Sequence, residues 1–151
     1  MDKFKSVEEI LDFAINSEQE AVEFYSGLAD NAKNNEMKTV FNEFAREEMK
    51  HKARLLNIKE TGIMESVTEK VIDLKVSDYV VSVAATPDMP YSDALIVAMK
   101  KEKAAFKLYM ALSNRADNQE VKDLFYSLAI EESKHKLRFE LEYDEFVLRE
   151  N

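Results

Sequence analysis

The sequence predicts an all-α protein, an antiparallel four-helix bundle built from two duplicated helix hairpins, and three observations predict it. Its 151 residues include only two glycines and two prolines, so little interrupts long helices. Apolar side chains recur at helical spacing in four long stretches. Shifting the sequence by 84 residues against itself gives 16 identities in the 37 positions from Glu18 to Arg54, with Leu11 and Ala14 meeting Leu95 and Ala98 upstream. An internal repeat of this kind dictates the architecture, because two like units must bury their apolar faces against each other.

The first half covers about residues 6–60. Ser6 followed by Glu9 is a capping-box signature, and Leu11, Ala14, Ile15, Ala21, Val22, Tyr25, Leu28 and Ala32 mark one face of the helix it opens. The break at Asn34 and Asn35 is short, so the second helix must turn back antiparallel. Its stripe runs Met37, Val40, Phe41, Phe44, Ala45, Leu55 and Ile58. The second half, about 92–149, repeats the plan with helices from about Ser92 to Arg115 and from about Gln119 to Leu148.

Between the halves lies a crossover, about 61–91, with Gly62 near its start and Pro87 and Pro90 near its end. It is long enough to run the length of a bundle and return the chain to its starting end. Short helices are expected around Val67 to Leu74 and Ser77 to Ala85. Tyr79, Val80 and Val83 offer apolar surface to the bundle or to a second subunit, from which a homodimer is expected. The chain, 1–151, reads as one domain.

Composition narrows the function. A formal charge of −9 repels phosphate backbones, and no basic stripe offsets it, so nucleic acid is not an expected partner. The absence of cysteine excludes disulfides, zinc ribbons and cysteine-ligated iron, and fits a reducing compartment. With no basic, apolar leader at the start and no apolar run long enough to span a bilayer, the expected location is the cytoplasm, with no membrane partner.

The informative positions are those that break the apolar stripes. Glu18 falls between Ala14 and Ala21, and Glu102 between Ala98 and Ala105, each on the buried face of its helix. The chain has two histidines, and both occupy the same place in a repeated octet, EEMKHKAR from Glu47 to Arg54 and EESKHKLR from Glu131 to Arg138. Glu48 with His51 and Glu132 with His135 are pairs three apart, hence neighbours on one face. Four converging buried carboxylates would repel each other and lose their water, so positive charge must sit between them. Two divalent cations balance four glutamates without help from the neutral imidazoles. Mixed carboxylate and imidazole ligands suit iron or manganese and also accept zinc.

A lone glutamate on each of two helices, with Glu-x-x-His on the other two, resembles the ligand set of the ferritin-like di-iron carboxylate proteins, an arrangement given as a standard example of the class. The phrases AINSEQEAVEFYSGLA, FNEFAREEMKHKARL and LFYSLAIEESKHKLRF resemble the rubrerythrin branch, and the likeness extends over nearly the whole chain, including DLKVSDYVV. The resemblance implies a ferritin-like bundle with two iron ions. It implies Glu18 and Glu102 as terminal ligands, Glu48 and Glu132 as bridging ligands, and His51 and His135 as the nitrogen ligands, one per metal. Tyr25 and Tyr109 would stand one layer out, donating hydrogen bonds to ligand carboxylates.

Two positions depart from that branch. Rubrerythrins usually carry a cysteine-bound iron in a C-terminal rubredoxin domain, whereas this sequence stops at Asn151 without cysteine, so electrons are expected from an external rubredoxin-type carrier. They also carry an extra glutamate three residues beyond the third-helix ligand, where this chain has Ala105. The remaining set is equally similar to the site of bacterioferritin.

Glu47 and Glu131 lie about 100° around the helix from the ligands, on an expected solvated face. Glu142 falls near the fourth-helix stripe, but its repeat counterpart is Ile58, which argues against a ligand role. The expected activity is reduction of hydrogen peroxide, with dioxygen as an alternative oxidant, by a di-iron oxidoreductase in oxidative-stress defence. Two other readings remain open: a ferroxidase serving iron storage or detoxification, and a non-catalytic bundle stabilised by its metals.

Overall fold

The computed structural model describes residues 3–32, 34–62, 74–81 and 89–150. Four helices dominate it: α1 (Val7–Asp30), α2 (Asn35–Thr61), α3 (Tyr91–Arg115) and α4 (Gln119–Glu150). Their ends follow local chemistry. The Ser6 side chain accepts from the Glu9 N–H at 3.1 Å, as the capping signature predicts, while the Glu9 carboxylate reaches back to the Lys5 N–H at 3.3 Å rather than to that of Ser6. Asn34 caps α2 by accepting from the Met37 N–H at 2.8 Å, and Gly62 closes it at φ 66°, in the left-handed region. Pro90 leads into α3. Asn118 accepts from the N–H groups of Glu120 and Val121 at 2.8 and 3.3 Å, opening α4 one turn before its apolar stripe begins.

Side-chain bonds fix the direction of three helix pairs. Lys52 to Gln19 and Lys59 to Asp12 make α1 and α2 antiparallel, and Tyr25 to Glu102 with Tyr109 to Glu18 do the same for α1 and α3. Arg54 to Glu131 and Arg138 to Glu36 set α2 against α4. Since α1 opposes both α2 and α3, these two run parallel, and the chain between them must travel the length of the bundle.

Part of that crossover is described. The Phe4 N–H donates to the Leu74 carbonyl at 3.1 Å, Lys3 and Lys75 form an antiparallel bridge, and a 3-10 turn follows at Val76–Asp78. The helix expected around Val67 to Leu74 lies outside the described residues but for Leu74, and of that expected around Ser77 to Ala85 the described part, 77–81, holds only the end of the 3-10 turn and no α-helix. Tyr79 is buried against Phe4, with ring centroids 6.4 Å apart, and so is not part of an outward apolar surface. Val80 is exposed, and Val83 lies outside the described residues. Among the described residues no helix is long and apolar enough to cross a membrane.

The core forms two apolar layers. One, at the α1 N-terminal end, includes Phe4, Ile10, Leu11, Leu55, Leu112, Phe125 and Leu128. The other, at the opposite end, includes Tyr25, Leu28, Met37, Phe41, Leu95 and Phe139. The polar positions predicted from the sequence fall between them.

The two glycines play opposite parts. Gly27 lies within α1 with nothing within 4 Å of where a Cβ would stand. Gly27→Ala is therefore expected to stabilise the protein by about 0.5–1 kcal/mol, whereas Gly62→Ala, forced into the left-handed region, should cost about 1–2 kcal/mol. Chemical denaturation of both variants checks this; shifts of the same sign would contradict it.

Candidate metal centre

Four helices deliver six buried ligand-capable side chains to one level of the bundle: Glu18 from α1, Glu48 and His51 from α2, Glu102 from α3, Glu132 and His135 from α4. The His51 Nδ1 lies 3.1 Å from Glu18 Oε2, 3.2 Å from Glu48 Oε1 and 3.1 Å from Glu132 Oε1. The His135 Nδ1 lies 3.5 Å from Glu48 Oε1, 3.6 Å from Glu102 Oε2 and 3.8 Å from Glu132 Oε1. Two overlapping groups result, Glu18 with Glu48, His51 and Glu132, and Glu102 with Glu48, His135 and Glu132, the offered atoms of each lying within 4.8 Å of one another. Glu48 and Glu132 belong to both groups, while Glu18 and Glu102 belong to one each.

The donor atoms themselves test whether cations fit. Among the described residues, the buried side-chain atoms without a hydrogen-bond partner are Glu18 Oε2, Glu48 Oε1, both ring nitrogens of His51, Glu102 Oε2, Glu132 Oε1 and His135 Nδ1. All belong to these six residues. A fold that leaves such atoms unpaired loses several kcal/mol in order of magnitude unless something else satisfies them, and a pair of divalent cations has the charge and the ligand preference to do so.

A chamber of about 270 Å³ opens between α1 and α3 and reaches Glu18, Glu48, Glu102, Glu132 and Tyr109. The carboxylates are thus approachable through the α1–α3 seam, and a second opening on the α2–α4 seam reaches His135.

The sequence profile of the family described as Rubrerythrin matches residues 9–88 and 93–151, which contain all six side chains. The chain belongs to the rubrerythrin family. No curated protein matches it. A solved structure from Thermotoga maritima, described as a candidate ferritin-like diiron-carboxylate protein, is 22% identical and superimposes with a TM-score of 0.77 over 96% of this chain and 98% of that one. At this identity the likeness speaks for the fold, which is ferritin-like.

The second layer of this rubrerythrin-family site is exchanged between the halves. The Tyr25 hydroxyl donates to Glu102 Oε1, and the Tyr109 hydroxyl donates to Glu18 Oε1 at 3.0 Å. Each tyrosine therefore steadies the lone carboxylate of the opposite repeat. Glu47 does the same for His135, its Oε2 lying 2.5 Å from Nε2, and Glu131 Oε1 approaches His51 Nε2 to 3.4 Å without a hydrogen bond, both contrary to the expected solvated face. The reason is geometric. A face 100° from the ligand direction of α2 points into the seam with α4, so these side chains, 43% and 34% exposed, touch water at one end and a histidine at the other. Their identical placement in both octets was the signal. Arg54 holds Glu131 at 3.3 Å, whereas its repeat counterpart Arg138 bonds to Glu36 at 3.0 Å. Glu142 is buried away from the cluster and accepts from the Tyr91 hydroxyl at 2.9 Å, with Arg149 at 3.6 Å.

Burial and mutual repulsion govern the charges. Burial first, then the Glu48 charge, pushes the Glu18 carboxyl up to about 8 and the Glu102 carboxyl to about 7. Burial, then three neighbouring carboxylates, raise Glu132 well above its usual range, while Glu48, which burial alone would also raise, is held below its usual range by the adjoining His51 and Glu132. Burial opposes charge on the histidines, but the facing Glu18 and Glu48 carboxylates lift His51 to about 11, and the facing Glu102 carboxylate lifts His135 to about 9. Without cations, protons supply the positive charge.

The sign of the pH dependence follows. Glu18, Glu102, Glu132 and both histidines bind protons more tightly folded than unfolded, so their contribution is present at low pH and is lost as pH rises through the folded values. Glu48 alone opposes this trend. The melting temperature of chelator-treated protein is expected to fall from pH 6 to pH 9, and bound Zn(II) should restore more stability at pH 9 than at pH 6, because cations replace the protons. A metal-free melting temperature that rises over this range would contradict the charge assignment.

Glu47→Ala is expected to weaken binding of one of two Zn(II) ions by about 10- to 100-fold, as loss of an outer carboxylate partner does elsewhere. Competition against a chromophoric chelator measures it, and unchanged affinity would return Glu47 to the solvated role.

Proposed function

We propose that the chain is a di-iron oxidoreductase that reduces hydrogen peroxide to water, with dioxygen as an alternative oxidant, in oxidative-stress defence. The supporting observation is that Glu18, Glu48, Glu102 and Glu132, each with a partnerless carboxylate oxygen, line a chamber of about 270 Å³. Metal sites that serve only to hold a fold are closed, whereas catalytic ones keep a position open to substrate. Rubrerythrin membership and the carboxylate-rich cluster favour iron; manganese and zinc are the alternatives that the same ligands accept.

In this reading Glu18 and His51 would hold one ion and Glu102 and His135 the other, with Glu48 and Glu132 common to both groups of ligands. When bound, the metal pair supplies the two electrons that cleavage of an O–O bond consumes. The chain's own contribution is placement and charge. Four carboxylates match the charge of two divalent ions. Glu47 fixes the His135 ring with Nδ1 turned inward, Glu131 stands beside the His51 ring, and Tyr25 and Tyr109 keep the lone carboxylates in register. Tyr109 also borders the chamber, which keeps a hydroxyl proton beside the place where the oxidant would bind. The two apolar layers bar water from above and below.

Re-reduction is assigned to an external, rubredoxin-type electron carrier. A net charge of −9 favours one with a basic docking patch. A cytoplasmic homodimer completes the reading.

The test is anaerobic loading with Fe(II), followed by rapid mixing with peroxide or dioxygen while near-ultraviolet absorbance tracks oxidation. Peroxide is expected to oxidise the loaded iron at least about tenfold faster than dioxygen, and Glu132→Ala to abolish the fast phase. Faster oxidation by dioxygen that continues with excess Fe(II) would replace this reading with ferroxidase chemistry.

A further inference from the structure

The chamber is larger than its proposed oxidants require. It holds about 270 Å³, whereas a water molecule occupies about 30 Å³ of liquid and an apolar cavity of about 150 Å³ accommodates benzene. Hydrogen peroxide has two heavy atoms.

Small side chains create the room. Ala21 on α1 and Ala105 on α3 are repeat counterparts, each three residues beyond a lone carboxylate and so on the same helix face, and both line the chamber. Phe13, Leu108 and Val80 add apolar wall, and Glu20 with Lys101 makes part of the lining polar. The result is an amphipathic space. Its floor offers carboxylates and any cations they hold, and its sides offer surface that water would leave poorly hydrogen-bonded.

We propose that this chamber binds organic hydroperoxides, ROOH, in which R is an apolar group of about ten heavy atoms or fewer. The –OOH head meets the Glu18, Glu48, Glu102 and Glu132 floor, and R lies against Ala21, Ala105 and Leu108. The inference rests on the peroxide-reducing reading and names a substrate class for it. The reaction balances as a two-electron reduction: the O–O bond breaks, the RO oxygen takes one proton and leaves as the alcohol ROH, and the other oxygen takes one proton and leaves as water. Both electrons come from the reduced metals and are replaced by the external carrier. The protons come from solvent.

The experiment uses the full chain loaded with redox-inert Zn(II) and the alcohol 2-phenyl-2-propanol, the product of cumene hydroperoxide reduction. A saturable rise in melting temperature is expected for the wild type. Ala105→Phe and Ala21→Phe, each checked for retained zinc, should weaken binding at least about tenfold, and the second variant guards against misfolding of the first. No saturable rise, or equal binding in both zinc-loaded variants, would overturn the proposal. A parallel arm mixes Fe(II)-loaded protein with cumene hydroperoxide and with hydrogen peroxide. Rapid oxidation by hydrogen peroxide without alcohol binding defeats the chamber proposal alone. Alcohol binding without oxidation by either peroxide defeats the peroxide-reducing reading and, with it, the substrate assignment.

Discussion

Four carboxylates enclosed at one level of a helical bundle are the constraint on which this structure depends. Charge that cannot reach water must be neutralised where it stands. Burial, reinforced by neighbouring carboxylates, drives Glu18, Glu102 and Glu132 toward their protonated forms, and the two histidines are drawn toward imidazolium by the same neighbours. The charges of the cluster can thus be balanced in two ways, by protons or by cations. Apolar layers on both sides, ending in residues such as Phe125 and Phe139, hold the six side chains at one height.

Duplication gives the site its cross-bracing. Tyr25 of the first half bonds to Glu102 of the second, Tyr109 of the second to Glu18 of the first, and Glu47 and Glu131 each approach the histidine of the other repeat. Neither hairpin holds its own ligands in place unaided. The bracing is not perfectly symmetric. The His51 Nδ1 stands 3.1–3.2 Å from its carboxylate oxygens and the His135 Nδ1 3.5–3.8 Å, while Glu47 draws close to His135 and Arg54 competes for Glu131. Phe44, stacked on the His135 ring at 4.0 Å, has Leu128 as its repeat counterpart, so part of the difference is written in the residues.

The bundle and the cluster were legible because both rest on periodicity. A glutamate that interrupts an apolar stripe at helical spacing must face inward, and the repeat showed the interruption twice. The four helices follow the predicted stripes, with α4 continuing to Glu150 rather than Leu148. Contacts between helices were harder to read. Glu47 and Glu131 looked solvated because a single helix wheel carries no record of where its neighbour stands, and Tyr79 looked available to a partner because its packing on Phe4 is a tertiary contact. The chamber was hidden for the same reason. Ala21 and Ala105 were members of a stripe, and the space they leave becomes visible only when α1 and α3 are placed side by side.

A bundle with a closed core would need no opening onto its most polar layer. Here the seam between α1 and α3 leads to the carboxylates, while the apolar layers close the other approaches along the axis. What occupies the centre decides the role of the six side chains. Anomalous diffraction at the iron edge, from crystals of the Fe(II)-loaded protein, tests this most directly. Two peaks about 3.5–4 Å apart, one beside Glu18 and His51 and the other beside Glu102 and His135, with Glu48 and Glu132 between them, are predicted. A single peak, or iron bound away from these six residues, would contradict it.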